Sequence, residues 1–412
     1  MKIVDFTNAQ KSGLTYGGMS GLKRGIQYDD SNWILKFQRS TSGMNRVDNS
    51  QMTSSLSEYI GSHVFECLDI PVHETLLGVY KDRVVVACKD FTNEHTVLEE
   101  YKSLKNDFNE ELSNQLEDIL SETEGHGSNL KPILICFESN VIFRENPDFE
   151  KRFWIQSIVD ILINNNDRNS GNWGTLLNRK TMQRTMAPVY DNGGSFYNKR
   201  GKKSFQRFLN NPELLNQVCT TQQTAYKLDG HIVSAQKFIN IENENLKDAV
   251  LNIVPVISTK FQDIQNMIQE IPESYQGIAI IDQSTKDFYI KSMEIRFQEI
   301  LLPRFKEICK ERHLDPELMM EIKAQDLQFL SEEIYNFLQS VESYNNQKVV
   351  GDCYKEWIED DLSHGGSEIR NFIEGLKEDC NFTSNQEEVM SHILSRLNDL
   401  EKENNQDYEI IL

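Results

Sequence analysis

The sequence predicts an α+β fold of two lobes, a small β-rich lobe that contains one key helix and a larger, mostly helical lobe that follows it. Two observations carry this prediction. Runs typical of strands, broken by one helical repeat, dominate the chain up to residue 91, and helical periodicity dominates afterwards. We therefore expect a β-rich lobe at residues 1–91 and a helical lobe at residues 92–345. An acidic helical extension is expected at residues 346–412.

The composition is that of an ordinary globular protein, with 38% hydrophobic and 26% charged residues among 412. Basic residues number 43 and acidic residues 64, so the formal net charge is −21. Nucleic acids and anionic membranes attract positive surfaces, so this balance argues against both as partners. The N-terminus lacks a signal-peptide pattern and no apolar run is long enough to span a membrane. We expect a cytoplasmic protein, and export as an effector stays open.

The small lobe should contain a strand, a helix and a hairpin. W-I-L-K-F at residues 33–37 is a short apolar strand that includes Lys36. Apolar residues recur at helical spacing over residues 54–68, which places Glu58 on a helix. Residues 72–89 then predict two strands of a hairpin.

The large lobe should be built mainly of helices. Amphipathic patterns predict helices at residues 98–104 and 110–120, and a strongly apolar pattern predicts a helix over residues 149–164. A long helical stretch over residues 285–312 is expected to be interrupted at Pro303.

A glycine-rich segment, G-L-T-Y-G-G-M-S-G, occupies residues 13–21. Glycine lets backbone N–H groups approach phosphate oxygens, because no Cβ stands in the way. Gly17, Gly18 and Ser20 are therefore candidate phosphate-binding residues. A plain hairpin loop is the alternative for this segment taken alone.

Lys36 lies inside an apolar strand, where an unpaired charge would be costly. Its ammonium could hold phosphate groups, and Glu58 on the following helix is a natural partner for it. The alternative is that Lys36 faces solvent on an alternating strand and that Glu58 is an ordinary surface residue.

Two loops in the large lobe carry the strongest signal. N-D-R-N-S-G-N at residues 166–172 has the D-x-x-x-x-N spacing of a phosphoryl-transfer loop, with Asp167 directed to the attacking hydroxyl and Asn172 to a metal ion. A-P-V-Y-D-N-G-G at residues 187–194 places Asp191 before glycines, as in a site that holds Mg²⁺ across the phosphates of ATP. An Asx-rich turn explains either loop alone. Both loops together, after the lysine strand and the acidic helix, predict an ATP- and magnesium-dependent phosphotransferase.

These segments resemble those of a known family. S-E-Y-I at residues 57–60, L-D-I-P-V at residues 68–72, the loop at residues 166–174 and A-P-V-Y-D at residues 187–191 are similar to segments of HipA-like serine/threonine kinases. The resemblance covers roughly residues 13–320. It implies a bilobal protein-kinase-like fold with ATP and Mg²⁺ as cofactors.

The resemblance also implies residue roles. Asp167 would be the catalytic base, and Lys36 would hold the nucleotide phosphates with Glu58 as its partner. Asn172 and Asp191 would bind Mg²⁺. The same resemblance implies that Ser20 is a candidate site of autophosphorylation, against the alternative of an ordinary loop serine.

The family's adenine hinge would fall at residues 88–91, so Lys89 and Phe91 are expected beside the nucleotide, mainly through backbone groups. Three features depart from the family. Arg168 and Asn169 stand where a histidine is common, and the glycine-rich segment begins too early for an additional N-terminal subdomain. This second feature resembles a short branch that includes a secreted bacterial kinase. The acidic C-terminal region is the third feature, and it looks like an addition.

The densest basic run, N-K-R-G-K-K at residues 198–203, follows the second loop. Its position is similar to a substrate-binding segment, so it is expected to dock an acidic substrate or a phosphorylated loop. A solvated surface loop is the alternative.

The leading functional hypothesis is a serine/threonine protein kinase that acts on a protein substrate. The resemblance suggests a toxin component with a helix-turn-helix antitoxin partner, and this chain has no evident DNA-reading segment of its own. Two alternatives stay open at this point. D-R followed by N also resembles the loop of phosphoinositide-type lipid kinases, and a nucleotide-binding pseudokinase scaffold would share the motifs.

Overall fold

The computed structural model describes residues 2–14, 22–44, 47–104, 128–144, 146, 148–320, 334, 337–338, 357–358, 361–362, 367–379, 382, 386–387, 389–391 and 393–397. The chain divides into two compact units, Met1–Val254 with Lys260–Ile308 and Pro255–Thr259 with Cys309–Leu412. The first unit contains every predicted site residue that the structure describes. The predicted domain boundaries at residues 91 and 345 stay predictions.

Six strands form one sheet near the N-terminus. They are β1 (Val4–Asp5), β2 (Gln10–Lys11), β3 (Lys23–Tyr28), β4 (Ser31–Phe37), β5 (Thr75–Tyr80) and β6 (Arg83–Lys89). Their order in the sheet is β1-β5-β6-β4-β3-β2, and only the β1–β5 pair is parallel. The β5–β6 hairpin and the strand that carries Lys36 are confirmed.

The side chains of strand β4 alternate between the two faces of this sheet. Trp33, Leu35 and Phe37 are buried in an apolar cluster on one face, and the two-residue period of a strand places Lys36 on the other. The helix α1 (Ser54–Cys67) packs on the face of Lys36, where the Ser55 hydroxyl donates to the Lys36 carbonyl at 3.3 Å. The predicted helix over residues 54–68 is confirmed.

The first predicted helix of the large lobe is wrong over its first three residues, 98–100. Residues 96–100 form strand β7 (Thr96–Glu100), and only residues 101–104 are helical. Strand β7 pairs with β9 (Gly174–Asn178), which pairs in turn with β10 (Arg184–Met186). At Gly174 a Cβ would lie 2.1 Å from the Glu99 carbonyl oxygen, so this pairing requires a glycine. The helix predicted at residues 110–120 lies outside the described residues.

The central helix of the large lobe is α4 (Asp148–Ile163), as predicted, and thirteen of its sixteen residues are buried. Aromatic rings surround its middle. Phe153 lies 5.2 Å from Trp173 and 5.4 Å from Tyr226 between ring centroids, and Trp154 lies 5.7 Å from Phe238. The loop that carries Asp167 therefore begins from a rigid interior position.

Up to residue 311, the described residues also form five short strands and eight α-helices of different lengths. The strands are β8 (Ser128–Asn129), β11 (Gln223–Leu228), β12 (His231–Ser234), β13 (Ser274–Tyr275) and β14 (Ile278–Ala279). The helices are α2 (Leu130–Ser139), α3 (Val141–Arg144), α5 (Lys202–Leu209), α6 (Pro212–Thr220), α7 (Ala235–Ile239), α8 (Glu244–Gln269), α9 (Gln283–Arg296) and α10 (Leu302–Glu311).

The long helical stretch near Pro303 is interrupted just before the proline and not at it. A π-helical turn, Phe297–Leu301, joins α9 to α10, and Pro303 is the second residue of α10. A proline ring crowds the carbonyl of the preceding turn, and a widened turn is one way a helix accommodates it.

The second unit has a core of its own. Ile334, Phe337, Ile358 and Leu362 are buried in one apolar cluster with residues of α11 (Ser367–Asp379). The Asp361 carboxylate accepts the Ile369 N–H at 2.7 Å at the start of α11. Among the residues described in either unit, no helix is both long and apolar enough to cross a membrane.

Candidate active site

Lys36 is the meeting point of two carboxylates that are distant in sequence. Its Nζ atom lies 3.0 Å from Glu58 Oε1 and 3.0 Å from Asp191 Oδ1. Burial by itself would lower the pKa of Lys36, but the charges of Asp191 and Glu58 raise it well above its ordinary value. The lysine is therefore a permanent cation at this site. The structure therefore brings the strand lysine, the helix glutamate and Asp191 together.

Glu58 is held from both sides. Its carboxylate is almost fully buried, and the Nε2 atom of His73 lies 3.1 Å from the Oε1 atom that contacts Lys36. Burial would raise the pKa of Glu58, but Lys36 and His73 together lower it, so the group is ionised. Ligand atoms of Glu58, His73 and Cys88 lie within 4.8 Å of one another. A cation there would compete with the lysine ammonium, so we interpret this cluster as part of the ion-pair network.

The loop at residues 164–173 is shaped by side-chain amides. Asn165 Oδ1 accepts the Asp167 N–H at 3.1 Å, and Asn169 Nδ2 donates to Asp167 Oδ1 at 3.2 Å. Asn172 Nδ2 donates to the Asp167 carbonyl at 2.6 Å. Because the amide nitrogen of Asn172 is used in this way, Oδ1 is its atom suited to a metal ion.

Arg168, which stands near the place of the family's histidine, organises two loops. It is fully buried and forms a bidentate salt bridge with Asp160, through Nε at 2.8 Å and Nη2 at 3.0 Å. The guanidinium also donates to the Asn172 carbonyl at 3.0 Å, to Asn192 Oδ1 at 2.6 Å and to the Tyr190 carbonyl. Burial would lower the pKa of Arg168, but Asp160 raises it.

The role of Arg168 could not be inferred from the loop motif alone. The available signal was Asp160, an acidic residue eight positions earlier within a strongly apolar helix. A buried carboxylate requires a cation or several donors close by.

The second loop packs directly on the first. Asp191 has a left-handed backbone, with φ of 59°, and follows an isolated β-bridge between Val72 and Val189. At Gly194 a Cβ would lie 2.8 Å from the Cβ of Asp167 and 2.8 Å from Asn165 Oδ1. A glycine is needed there, and the contact brings the two carboxylate loops together.

Five predicted nucleotide residues lie outside this cluster. Gly17, Gly18 and Ser20 lie outside the described residues. The ammonium of Lys89 bonds to Glu74 at 2.6 Å, and its backbone N–H donates to the Glu74 carbonyl at 2.9 Å.

The ring of Phe91 lies 5.8 Å from the ring of Tyr190, the residue before Asp191. This contact places Phe91 near the second loop. The hinge roles of Lys89 and Phe91 stay predictions.

Comparison with known proteins agrees with this arrangement. No protein-family model matches the chain. The serine/threonine-protein kinase CtkA of Helicobacter pylori strain J99 is 31% identical over 278 residues, which make up 66% of this chain and 80% of CtkA. The chain belongs to the HipA-like serine/threonine kinases, in their CtkA-like branch.

Solved structures of the family are also similar to this chain. The crystal structure of a Helicobacter pylori proinflammatory kinase CtkA has a TM-score of 0.65 and 26% identity, covering 75% of this chain and 98% of that one. HipA of Shewanella oneidensis MR-1, in a toxin–antitoxin complex with HipB and operator DNA, has a TM-score of 0.44 and 12% identity over 73% of this chain and 69% of that chain. The likeness to CtkA confirms the predicted bilobal kinase-like fold.

Proposed function

We propose that this chain transfers the γ-phosphoryl group of ATP to a serine or threonine hydroxyl of a protein. The observation that carries the proposal is the cluster of Lys36, Glu58 and Asp191, with both Lys36 contacts at 3.0 Å. A Cβ at Gly194 would lie 2.8 Å from the Cβ of Asp167, and this close approach of the Asp167 and Asp191 loops supports the proposal. Family membership gives independent support.

The donor atoms in the site fit Mg²⁺ and a nucleotide. Magnesium prefers carboxylate, amide and phosphate oxygens, which Asp191 and Asn172 can supply together with ATP. The side chain of Asp191 is 28% exposed, so a metal ion could approach it from solvent. Lys36, a permanent cation, would hold phosphate oxygens, and Mg²⁺ when bound would offset the charge on the phosphates.

Asp167 is the proposed catalytic base. Phosphoryl transfer requires mainly positioning and charge compensation, so the base has to orient the incoming hydroxyl and accept its proton. Asn165 and Asn169 fix the position of Asp167 through the bonds at 3.1 Å and 3.2 Å. The first bond fixes the backbone of Asp167, and the second orients its carboxylate.

A protein substrate is favoured over the two alternatives. The net charge of −21 opposes work at an anionic bilayer, which a lipid kinase would require. A pseudokinase would be expected to lack a member of the catalytic set, whereas Lys36, Asp167, Asn172 and Asp191 are all present.

Asp191→Asn tests the proposal directly. The amide can still accept a hydrogen bond from Lys36 but loses the charge that would hold Mg²⁺. We expect wild type to transfer label from γ-labelled ATP to lysate proteins and to gain thermal stability with Mg-ATP. The variant should lose at least about 100-fold in transfer rate. Absence of both transfer and stabilisation in wild type, with Mg²⁺ present, would reject the proposal.

The basic run at residues 198–203 is the proposed docking site for the protein substrate. Lys199, Lys202 and Lys203 are exposed, and the last two open helix α5. Cations are unfavourable at a helix N-terminus. The Asp48 carboxylate compensates by accepting the Gly201 N–H at 2.7 Å and the Ser204 N–H at 2.9 Å.

Changing these three lysines to glutamine should raise the KM for an acidic protein substrate by about five- to tenfold and leave the KM for ATP unchanged. A matched control changes Lys11, Lys180 and Lys237, which are also exposed, to glutamine. Equal effects of the two triple variants would show that only net charge matters, and the docking role would be wrong.

Three further properties belong to the proposal by family resemblance. They are autophosphorylation at Ser20, which lies outside the described residues, a helix-turn-helix antitoxin partner, and a cytoplasmic location. Peptide mapping after incubation with ATP would detect phosphate on Ser20.

A further inference from the structure

A chain of buried polar side chains runs from the lysine–glutamate pair to the catalytic loop. It consists of Glu58, His73, Ser62, Asn192 and Arg168, each at most 5% exposed. Buried polar groups are costly unless they are hydrogen-bonded, so each contact in such a chain constrains the next. We call these five residues the polar relay.

The contacts of the relay are continuous. The Nε2 atom of His73 lies 3.1 Å from Glu58 Oε1 and 3.2 Å from Ser62 Oγ. Asn192 Nδ2 donates to the same Ser62 oxygen at 3.0 Å, and Arg168 Nη2 donates to Asn192 Oδ1 at 2.6 Å. Ser62 is therefore the junction between helix α1 and the loop that follows Asp191.

The backbone supports the same connection at two places. The His73 N–H donates to the Val189 carbonyl at 3.0 Å, so His73 is fixed to the segment that leads into Asp191. A Cβ at Gly61 would lie 2.9 Å from the Cβ of Asn192, so α1 approaches the second loop closely beside the junction. The relay thus lies at a fixed contact between the two lobes.

We propose that His73, Ser62 and Asn192 are positioning residues, which set the placement of the Lys36–Glu58 pair relative to the loops of Asp167 and Asp191. The inference rests on the proposed kinase function and deepens it. None of the three residues has a role in the phosphoryl-transfer step itself. They act through Glu58 at one end and through Arg168 at the other.

The chemistry of His73 makes the proposal specific. Nε2 is its atom in contact with the Glu58 carboxylate, which accepts hydrogen bonds only, so Nε2 carries the proton and shares it between Glu58 Oε1 and Ser62 Oγ. Glutamine can also place an N–H donor near Glu58, whereas leucine fills a similar volume without a donor. His73→Gln should therefore preserve the link that His73→Leu breaks.

A double-mutant cycle tests the relay. His73 and Asn192 each contact Ser62, so breaking either one interrupts the same chain. We expect His73→Leu, Ser62→Ala and Asn192→Ala each to lower kcat/KM for ATP by about tenfold. The double variant of His73 and Asn192 should lie within about threefold of the weaker single variant, whereas independent effects would multiply to about a hundredfold.

Two variants control for loss of packing. His73→Gln should stay within about threefold of wild type. Ile60→Val removes one methylene from the fully buried face of α1 without touching a polar contact, and should change kcat/KM by less than about twofold. Multiplying losses, a glutamine variant as weak as the leucine variant, or unchanged kinetics would each overturn the relay.

A second readout separates this inference from the kinase assignment. Mg-ATP affinity, measured by calorimetry on the same proteins, should show the same non-additive pattern and the same rescue by glutamine. A wild type that binds Mg-ATP but transfers no phosphate would overturn the proposed function, and the affinity cycle would still decide the relay. An active wild type with additive affinities would overturn the relay alone.

Discussion

Replacing Asp167 by asparagine is expected to lower kcat by about a thousandfold while the affinity for Mg-ATP stays within about threefold of wild type. Asparagine has the same shape, so it can keep the bond from its own backbone N–H to Asn165 Oδ1, at 3.1 Å, and accept the bond from Asn169 Nδ2, at 3.2 Å. What it loses is the ability to accept the substrate proton. Steady-state kinetics on a protein substrate, combined with calorimetric Mg-ATP titration, measures both quantities.

Asn169 provides the matched control for this change. Its Nδ2 atom donates to Asp167 Oδ1, and its side chain is half-buried. Asn169→Ser weakens the orientation of Asp167 without removing the base, so kcat should fall by less than about tenfold. An Asp167→Asn variant with wild-type kcat would refute the assignment of the base.

Replacing Arg168 by methionine is expected to lower the free energy of unfolding by about 3–5 kcal/mol, because it leaves the Asp160 charge buried without its partner. The change also removes donors from the carbonyls of Asn172 and Tyr190 and from Asn192 Oδ1. Chemical denaturation of wild type and variant measures the difference. Loss of activity should accompany it, since both carboxylate loops are anchored on this guanidinium.

Arg184 gives the comparison for a surface pair. Its Nε atom contacts Glu99 at 2.7 Å, but its side chain is 25% exposed, so Arg184→Met should cost less than about 1 kcal/mol. Combining Arg168→Met with Asp160→Asn removes the lone buried charge and should restore part of the loss. Equal destabilisation by the two arginine variants would contradict the structural role of Arg168.

Sequence reasoning succeeded where the signal is local or recurs as an ordered motif. The helix over residues 54–68, the hairpin after it and the apolar helix α4 follow from periodicity. The convergence of Lys36 with Asp191 spans 155 positions, and only the motif order and the family resemblance could anticipate it.

The errors have physical causes that a single sequence conceals. Residues 98–104 read as an amphipathic helix, but β7 gains its stability by pairing with β9, more than seventy residues later. Arg168 was noted as a departure from the family, and its burial against Asp160 became visible only in three dimensions.

The enclosure of α4 by buried side chains has a consequence for how this kinase can change. The loop of Asp167 follows directly from a close-packed interior, so its position depends on apolar side chains that do not contact a substrate. The exposed lysines of the basic run at residues 198–203 are not part of this close-packed interior. Substrate preference is therefore free to diverge at the surface, whereas the geometry of the reaction is tied to core volumes that tolerate little variation.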